Sequence, residues 1–207
     1  MKYFYTFTSQ LYCNQNIQMK HFLILLITIQ ILFSCQQKSN LQKDFICEVS
    51  NLSNTKKVID IKKKFSIQTP KHWKTNLYYD NIQTQIYTAD TTKQLSETYI
   101  LDIALNSGEL ILDDSFKNKV IENLHATKLQ NLKFKFDTFK EKPSLWFVSK
   151  GKKRDLDYYY FQLFILNSPT DYYEITTKIY GNEHLDTRLC ESIAIISKIE
   201  FLNNISY

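Results

Sequence analysis

The chain has 207 residues, 43% of them hydrophobic, with 14% aromatic residues and a formal net charge of +5. This mild excess, carried almost wholly by lysine, does not indicate a nucleic-acid binder, because phosphate grips draw on arginine's planar fork, and only Arg154 and Arg188 are present. With three glycines in the whole chain, neither a Walker loop nor a dinucleotide fingerprint can be built, since each needs clustered glycines for close backbone approach to phosphate.

Met19 to Cys35, MKHFLILLITIQILFSC, has the layout of a bacterial lipoprotein signal. Lys20 and His21 form a basic start, and Phe22 to Phe33 is a compact apolar run. Leu32-Phe33-Ser34-Cys35 then matches a lipobox, with a branched apolar residue three before the cysteine and a small one just before it. The apolar run is short of the roughly 20 residues a membrane span needs, and has the length of a signal core. The expectation is therefore translation from Met19, with residues 1–18 a gene-model extension, cleavage after residue 34, and lipid on Cys35. Gln36-Gln37-Lys38-Ser39 holds no aspartate, which by resemblance to known sorting signals favours the outer membrane, facing the periplasm. Loss of residues 1–34 removes Lys2 and Lys20 and no acid, so the mature chain stays mildly basic.

Residues 35–57 are rich in Gln, Lys, Ser and Asn and read as a tether. The folded domain is expected over 58–203. Its first strands are read at 64–70, stopped by Pro70, and at 73–79, 82–88 and 98–106. Asp113 or Asp114 caps a helix running to about Leu132, with Phe116, Val120, Ile121 and Leu124 at helical spacing. Strands at 133–140, 145–150 and 157–166 follow, the last two flanking Gly151-Lys152-Lys153-Arg154 as a hairpin turn. A strand at 172–180 ends at Gly181. Asn182 is read as the cap of a last helix, 183–197, before a short strand at 199–201.

Tyr158 to Leu166 decides the architecture. It is apolar at both alternations, so it must be covered on both faces. Two amphipathic helices can supply the cover. The fold class is thus α+β, an α/β/α sandwich with a mainly antiparallel central sheet, helices on both faces and strand 158–166 central. Phe65-Ser66-Ile67-Gln68-Thr69-Pro70-Lys71-His72-Trp73 resembles the strand, proline and tryptophan entry of PsbP-like domains. The Tyr-Tyr strand ended by Gly181, then Glu191-Ser192-Ile193 leading to Ile199-Glu200-Phe201, resembles that family's closing helix and strand. The resemblance covers residues 60–202. It implies an α/β/α sandwich and an accessory or interaction role, and it carries over no site residues.

Chemistry is sparse. There is no C-x-x-C pair, no H-E-x-x-H and no G-x-S-x-G, so zinc-ribbon, zincin and nucleophile-elbow readings fall away. No catalytic residue, metal or cofactor is expected. Cys47 and Cys190 remain after Cys35 and the discarded Cys13. An envelope location permits a disulfide between them, and the sequence leaves bonded and unpaired states both open. Lys152, Lys153 and Arg154 form the densest basic turn, suited to anionic headgroups or an acidic partner. Asp90 and its loop are a candidate binding element, and Asp90-Thr91-Thr92 resembles an envelope O-glycosylation sequon, with Thr91 the acceptor. Trp73 and the tyrosines are candidate pocket-lining residues. The leading expectation is a non-enzymatic lipoprotein, held on the membrane by its lipid, that binds an envelope protein and no nucleic acid. The alternative is a small-ligand carrier or enzyme with an aromatic-lined pocket. A deep cavity with converging polar groups would favour the alternative, and a filled core with a flat patch the former.

Overall fold

In a computed structural model, residues 38–48, 52–153 and 155–202 are described. The elements, in chain order, are α1 (Asn40–Asp44), β1 (Thr55–Ile59), β2 (Phe65–Pro70), β3 (Lys74–Tyr79), β4 (Gln83–Ala89), β5 (Tyr99–Ser107), α2 (Asp114–Ala126), β6 (Gln130–Phe139), β7 (Lys142–Lys153), β8 (Leu156–Ser168), β9 (Asp171–Tyr180), α3 (Leu185–Ser197) and β10 (Glu200–Phe201). Among the described residues there are two antiparallel sheets, not the single sheet expected. A seven-stranded sheet runs β3-β4-β5-β9-β8-β7-β6, and a three-stranded one runs β1-β2-β10. The chain makes the larger sheet as two meanders joined where β5 pairs β9, Ile103 opposite Ile175. The step from β5 to the far edge strand β6 is the long crossover, and it carries α2.

The doubly apolar strand behaves as its pattern requires. β8 is interior, third from the β6 edge, with β9 in the middle position. Its Phe161, Leu163 and Ile165 join one core with Ile193, Ile195 and Ile196 of α3 and with Phe65 and Ile67 of β2. Its Tyr158 and Phe164 join a second core with Val120 and Leu124 of α2 and with Leu145 and Phe147 of β7. The two faces of β8 thus belong to two different cores, each of which a different helix joins, as period-2 alternation allows.

Several local readings are corrected. α1 and the first three residues of β1 lie inside the stretch read as tether. α1 opens with a capping box, Ser39 accepting from the Gln42 amide while the Gln42 side chain reaches back to Ser39 N. Phe45 packs on Trp146 and Phe161, and Lys135 donates to Asp44 at 2.8 Å. α2 takes Asp113 as its cap, accepting from Phe116 N at 2.8 Å, and stops at Ala126 instead of Leu132. Lys128 is left-handed there (φ 61), Leu129 N donates to Leu124 O and Lys128 N to His125 O. This is a Schellman stop without its usual glycine. Asn182 does not cap α3; it donates to Asp157, and His184 holds the cap position without a side-chain bond.

Two buried polar residues fasten the parts. Asp60 accepts from the amides of Lys62, Lys64 and Phe65 and from Thr84 Oγ1 at 2.8 Å, tying the β1–β2 turn to β4. Arg188, 4% exposed, donates to the carbonyls of Ser96, Thr98, Tyr180, Gly181 and Glu183. It gathers the β4–β5 loop, the end of β9 and the start of α3 around one guanidinium. Cys47 and Cys190 are bonded, with Cα atoms 5.3 Å apart across 143 residues of sequence, which pins the segment after α1 to α3.

Candidate binding cleft

A helix of 13 residues is about 20 Å long and about 10 Å wide. Seven strands spaced about 4.8 Å apart make a sheet about 30 Å across. One helix therefore covers only part of a face. α2 lies with the β6–β8 side, joined to it through Val120, Leu124, Leu129, Phe147 and Phe164. Among the described residues α2 is the one helix joined to that core, and on the β9, β5 and β4 part of the face polar residues stand among Ile100, Tyr172 and Tyr180. Gln162 Nε2 donates to Glu174 Oε1 at 2.7 Å, and Gln85 Nε2 to Asp102 Oδ1 at 2.6 Å. Lys178 lies 3.6 Å from Asp102 and 5.8 Å over the Tyr87 ring.

Between α2 and the β8–β9 part of the sheet lies a cavity of about 610 Å³, within the range of ligand pockets. Phe116, Val120 and Leu124 form its helix wall at spacings of four, so they share one face. Tyr158, Tyr160, Gln162 and Phe164 are alternate residues of β8 and form its floor, joined by Glu174 and Lys178 of β9. Leu129, Lys152 and Lys153 close one end, and Lys119 stands on the helix side.

The floor is partly desolvated, and the ionisable groups record it. Burial, then the Asp102 charge, hold the Glu174 carboxyl above the usual carboxylate range, against the Gln162 hydrogen bond and Lys178. Burial, then the Glu174 charge, push the Tyr160 hydroxyl well up, and burial does the same for Tyr158. These tyrosines stay neutral and can donate a hydrogen bond at any physiological pH. Lys153 sits 5.3 Å over the Tyr158 ring.

Of the residues singled out from sequence, Lys152 and Lys153 stand at this cleft, but as the end of strand β7 and not as a turn. They pair with Asp157 and Leu156. Gly151 is likewise in the strand. A Cβ there would lie 2.6 Å from Leu129 Cδ2 and 2.7 Å from Lys128 O, so this glycine serves the close approach of the α2–β6 connection. Arg154 and Cys35 lie outside the described residues. Trp73 does not line the cleft. It is 6% exposed and packs edge-on against Tyr99 in the α3-side core, ring centres 5.0 Å apart. Asp90 is not a free ligand group either, being 4% exposed. Burial raises its pKa, but hydrogen bonds from the Thr92 hydroxyl and amide and from His72 outweigh this and hold it low. Its work is to shape the turn that displays Thr91, which is exposed. Glu174, Gln162 and Lys178 escaped the sequence reading. Their signal was the polar alternation of β9, Glu174-Thr176-Lys178, against the apolar Tyr173-Ile175-Ile179. Among the described residues, no group of three or more His, Cys, Asp or Glu is placed to hold a metal ion, and no helix is long and apolar enough to cross a membrane.

No protein-family model and no curated protein matches the sequence. Solved structures do match in fold. Cyanobacterial PsbP (CyanoP) from Synechocystis sp. PCC 6803 superposes with a TM-score of 0.53 at 10% identity, over 75% of this chain and 97% of that one. The fold is PsbP-like. A Bacteroides thetaiotaomicron protein (TM-score 0.44, 13% identity, 73% of this chain and 50% of that one) is also similar. So is LpqN, involved in cell envelope biogenesis of Mycobacterium tuberculosis (0.42, 9%, 74% and 93%). The segments that carried the sequence resemblance meet in the PsbP-like domain: β10 closes on β2, Phe201 opposite Phe65.

Proposed function

We propose that this chain is an envelope lipoprotein, anchored through lipid on Cys35, whose α/β/α-sandwich domain is a non-enzymatic binding module. The observation that carries the binding reading is the α2 cleft, where an apolar helix wall, neutral tyrosine hydroxyls and a lysine lip converge on one cavity. A cavity of this kind supports the carrier form of the reading over a flat docking patch for an envelope protein, because apolar, hydroxyl and charged groups line one volume. Anchoring at the outer membrane, facing the periplasm, is supported by the basic start, short apolar core and lipobox in register, and by the residues after Cys35. Two acyl chains hold a protein on a bilayer where one does not.

Two measurements test this. Mass spectrometry of the mature protein should find an acylated Cys35 at the N-terminus, and Cys35→Ala should move the protein out of the detergent phase. An unmodified, soluble wild type ends the anchoring reading. Native mass spectrometry of protein drawn from its own membranes should show a bound small molecule. A protein partner recovered in its place, still bound to a Val120→Trp variant with a plugged cleft, would favour docking on another surface.

A further inference from the structure

We infer that the cleft holds a single-chain anionic amphiphile, an alkyl tail with one carboxylate or phosphate head, lying along α2 with its head at the Lys152–Lys153 end. This rests on the binding-module reading above and names its ligand class. The cleft has a direction. At one end Phe116 of α2 meets Phe164 of β8 edge-on, ring centres 4.9 Å apart. Val120 and Leu124 continue the apolar wall along the helix, about 12 Å from Phe116 to Leu124 at 1.5 Å per residue. The wall is straight and one residue wide, which suits an extended chain better than a fused-ring or sugar ligand.

Three of the four lysines that line the cavity sort to the other end. Gly151 pairs with Tyr158 and lies against Leu129, so Lys152 and Lys153 follow at the end of β7 that Leu129 approaches, and Lys178 of β9 lies beside Tyr160. Lys178 has Asp102 as a partner. Among the described residues, Lys152 and Lys153 at this end have no carboxylate within ion-pair distance, and neither has Lys119, which stands beside the apolar wall between Phe116 and Val120. Glu174, the one acidic residue lining the cavity, pairs with Phe164 across β8–β9 and therefore lies toward the aromatic end. An anionic head is attracted to the lysine end and repelled from the Glu174 end, while the tail is desolvated against Phe116, Val120 and Leu124. The Tyr158 and Tyr160 hydroxyls are neutral donors beside the head.

The test uses the full-length protein in isolated membranes washed free of ATP and coenzyme A, so that added probes remain free and unesterified. Three photoreactive alkyl probes of equal chain length are compared, headed by a carboxylate, a phosphate monoester or an uncharged alcohol. Crosslinked peptides are mapped by mass spectrometry. The expected result is labelling concentrated on residues 116–124 and 160–164, at least fivefold stronger for an anionic probe than for the alcohol. The ratio of the two anionic probes distinguishes a fatty-acid-like from a phospholipid-like source. Lys152→Glu with Lys153→Glu should cut anionic labelling about fivefold and alcohol labelling far less, in a variant whose thermal unfolding midpoint shows that it is folded. Val120→Trp should abolish labelling by all three. Labelling spread outside the cleft, or equal for charged and uncharged heads, overturns the inference. If that happens while Cys35 is acylated, the lipoprotein reading stands and only the ligand falls.

Discussion

The residues that hold this fold together are polar ones whose importance is invisible until their partners are known. Arg188 sits on a helix among apolar neighbours and reads as an ordinary surface arginine, yet it is the shared donor for five carbonyls from three segments. Replacing it with Met, similar in length but without donors, leaves those carbonyls unpaired. The expected loss is about 3 kcal/mol or more, read as a lower urea midpoint with little change in slope. Arg188→Lys should recover only part of it, since one ammonium cannot span the fork. Glu174 gives the opposite sign. Its pKa is raised chiefly by burial, so the folded chain holds its proton to higher pH than the unfolded chain does. Its cost is absent below the unfolded value near 4.5 and grows as pH rises through the folded pKa. Glu174→Gln keeps a carbonyl for the Gln162 donor. It should be more stable than wild type at pH 7 and equal to it at pH 4 in paired urea titrations. Greater stability of the wild type at pH 7 would show that the lysines more than compensate the buried charge.

Element identity was legible wherever apolar periodicity ran uninterrupted, and element ends were not. β8 was readable because both alternations of Tyr158–Leu166 are apolar, and the α2 start because Asp113 precedes a helical stripe. The α2 stop was missed because Lys128 takes the left-handed position where glycine is usual. The β6–β7 hairpin was blurred for the same reason: Lys140 and Glu141 both have positive φ (49 and 66), a two-residue turn without the Asn-Gly that announces it. Conversely, Gly151 looked like a turn and is a strand residue chosen for space. Gly151→Ala puts a methyl against a backbone carbonyl as well as a side chain, so the α2–β6 connection must shift. The expected cost is about 1–3 kcal/mol, seen as a lower melting temperature. Anionic-probe labelling should fall with it, because Leu129 and the lysine end of the cleft move together. The Ser39–Gln42 capping box was in plain view as S-x-x-Q, overlooked because the composition around it is that of a linker.

At the scale of the molecule, the mainly antiparallel pairing was legible, but the separate three-stranded sheet and the placement of α2 toward the β6–β8 side were not, because both depend on strand order, which periodicity does not carry. The same is true of the tether. A free chain from Cys35 to Thr55 would reach at most about 70 Å. With Ser39 bonded to Ser197, Asp44 to Lys135 and Cys47 to Cys190, an anchor on Cys35, as proposed, is separated from the docked segment by residues 36–38, a reach of at most about 14 Å along the chain. The disulfide closes so long a loop that the entropy model assigns it roughly 5 kcal/mol, and it adds a covalent link to the contacts that dock α1. Cys47→Ser with Cys190→Ser should therefore do two things. It should lower global stability by several kcal/mol. It should also lengthen the average distance between a bilayer dye and a fluorophore placed at the exposed Thr91 position in vesicle-reconstituted protein. Reduction of the wild type should reproduce the lengthening, and reoxidation should reverse it. A distance that does not change on reduction would mean that the Asp44–Lys135 pair and the Phe45 contact alone keep the segment docked, and that the disulfide stabilises the domain without setting how far it stands from the membrane.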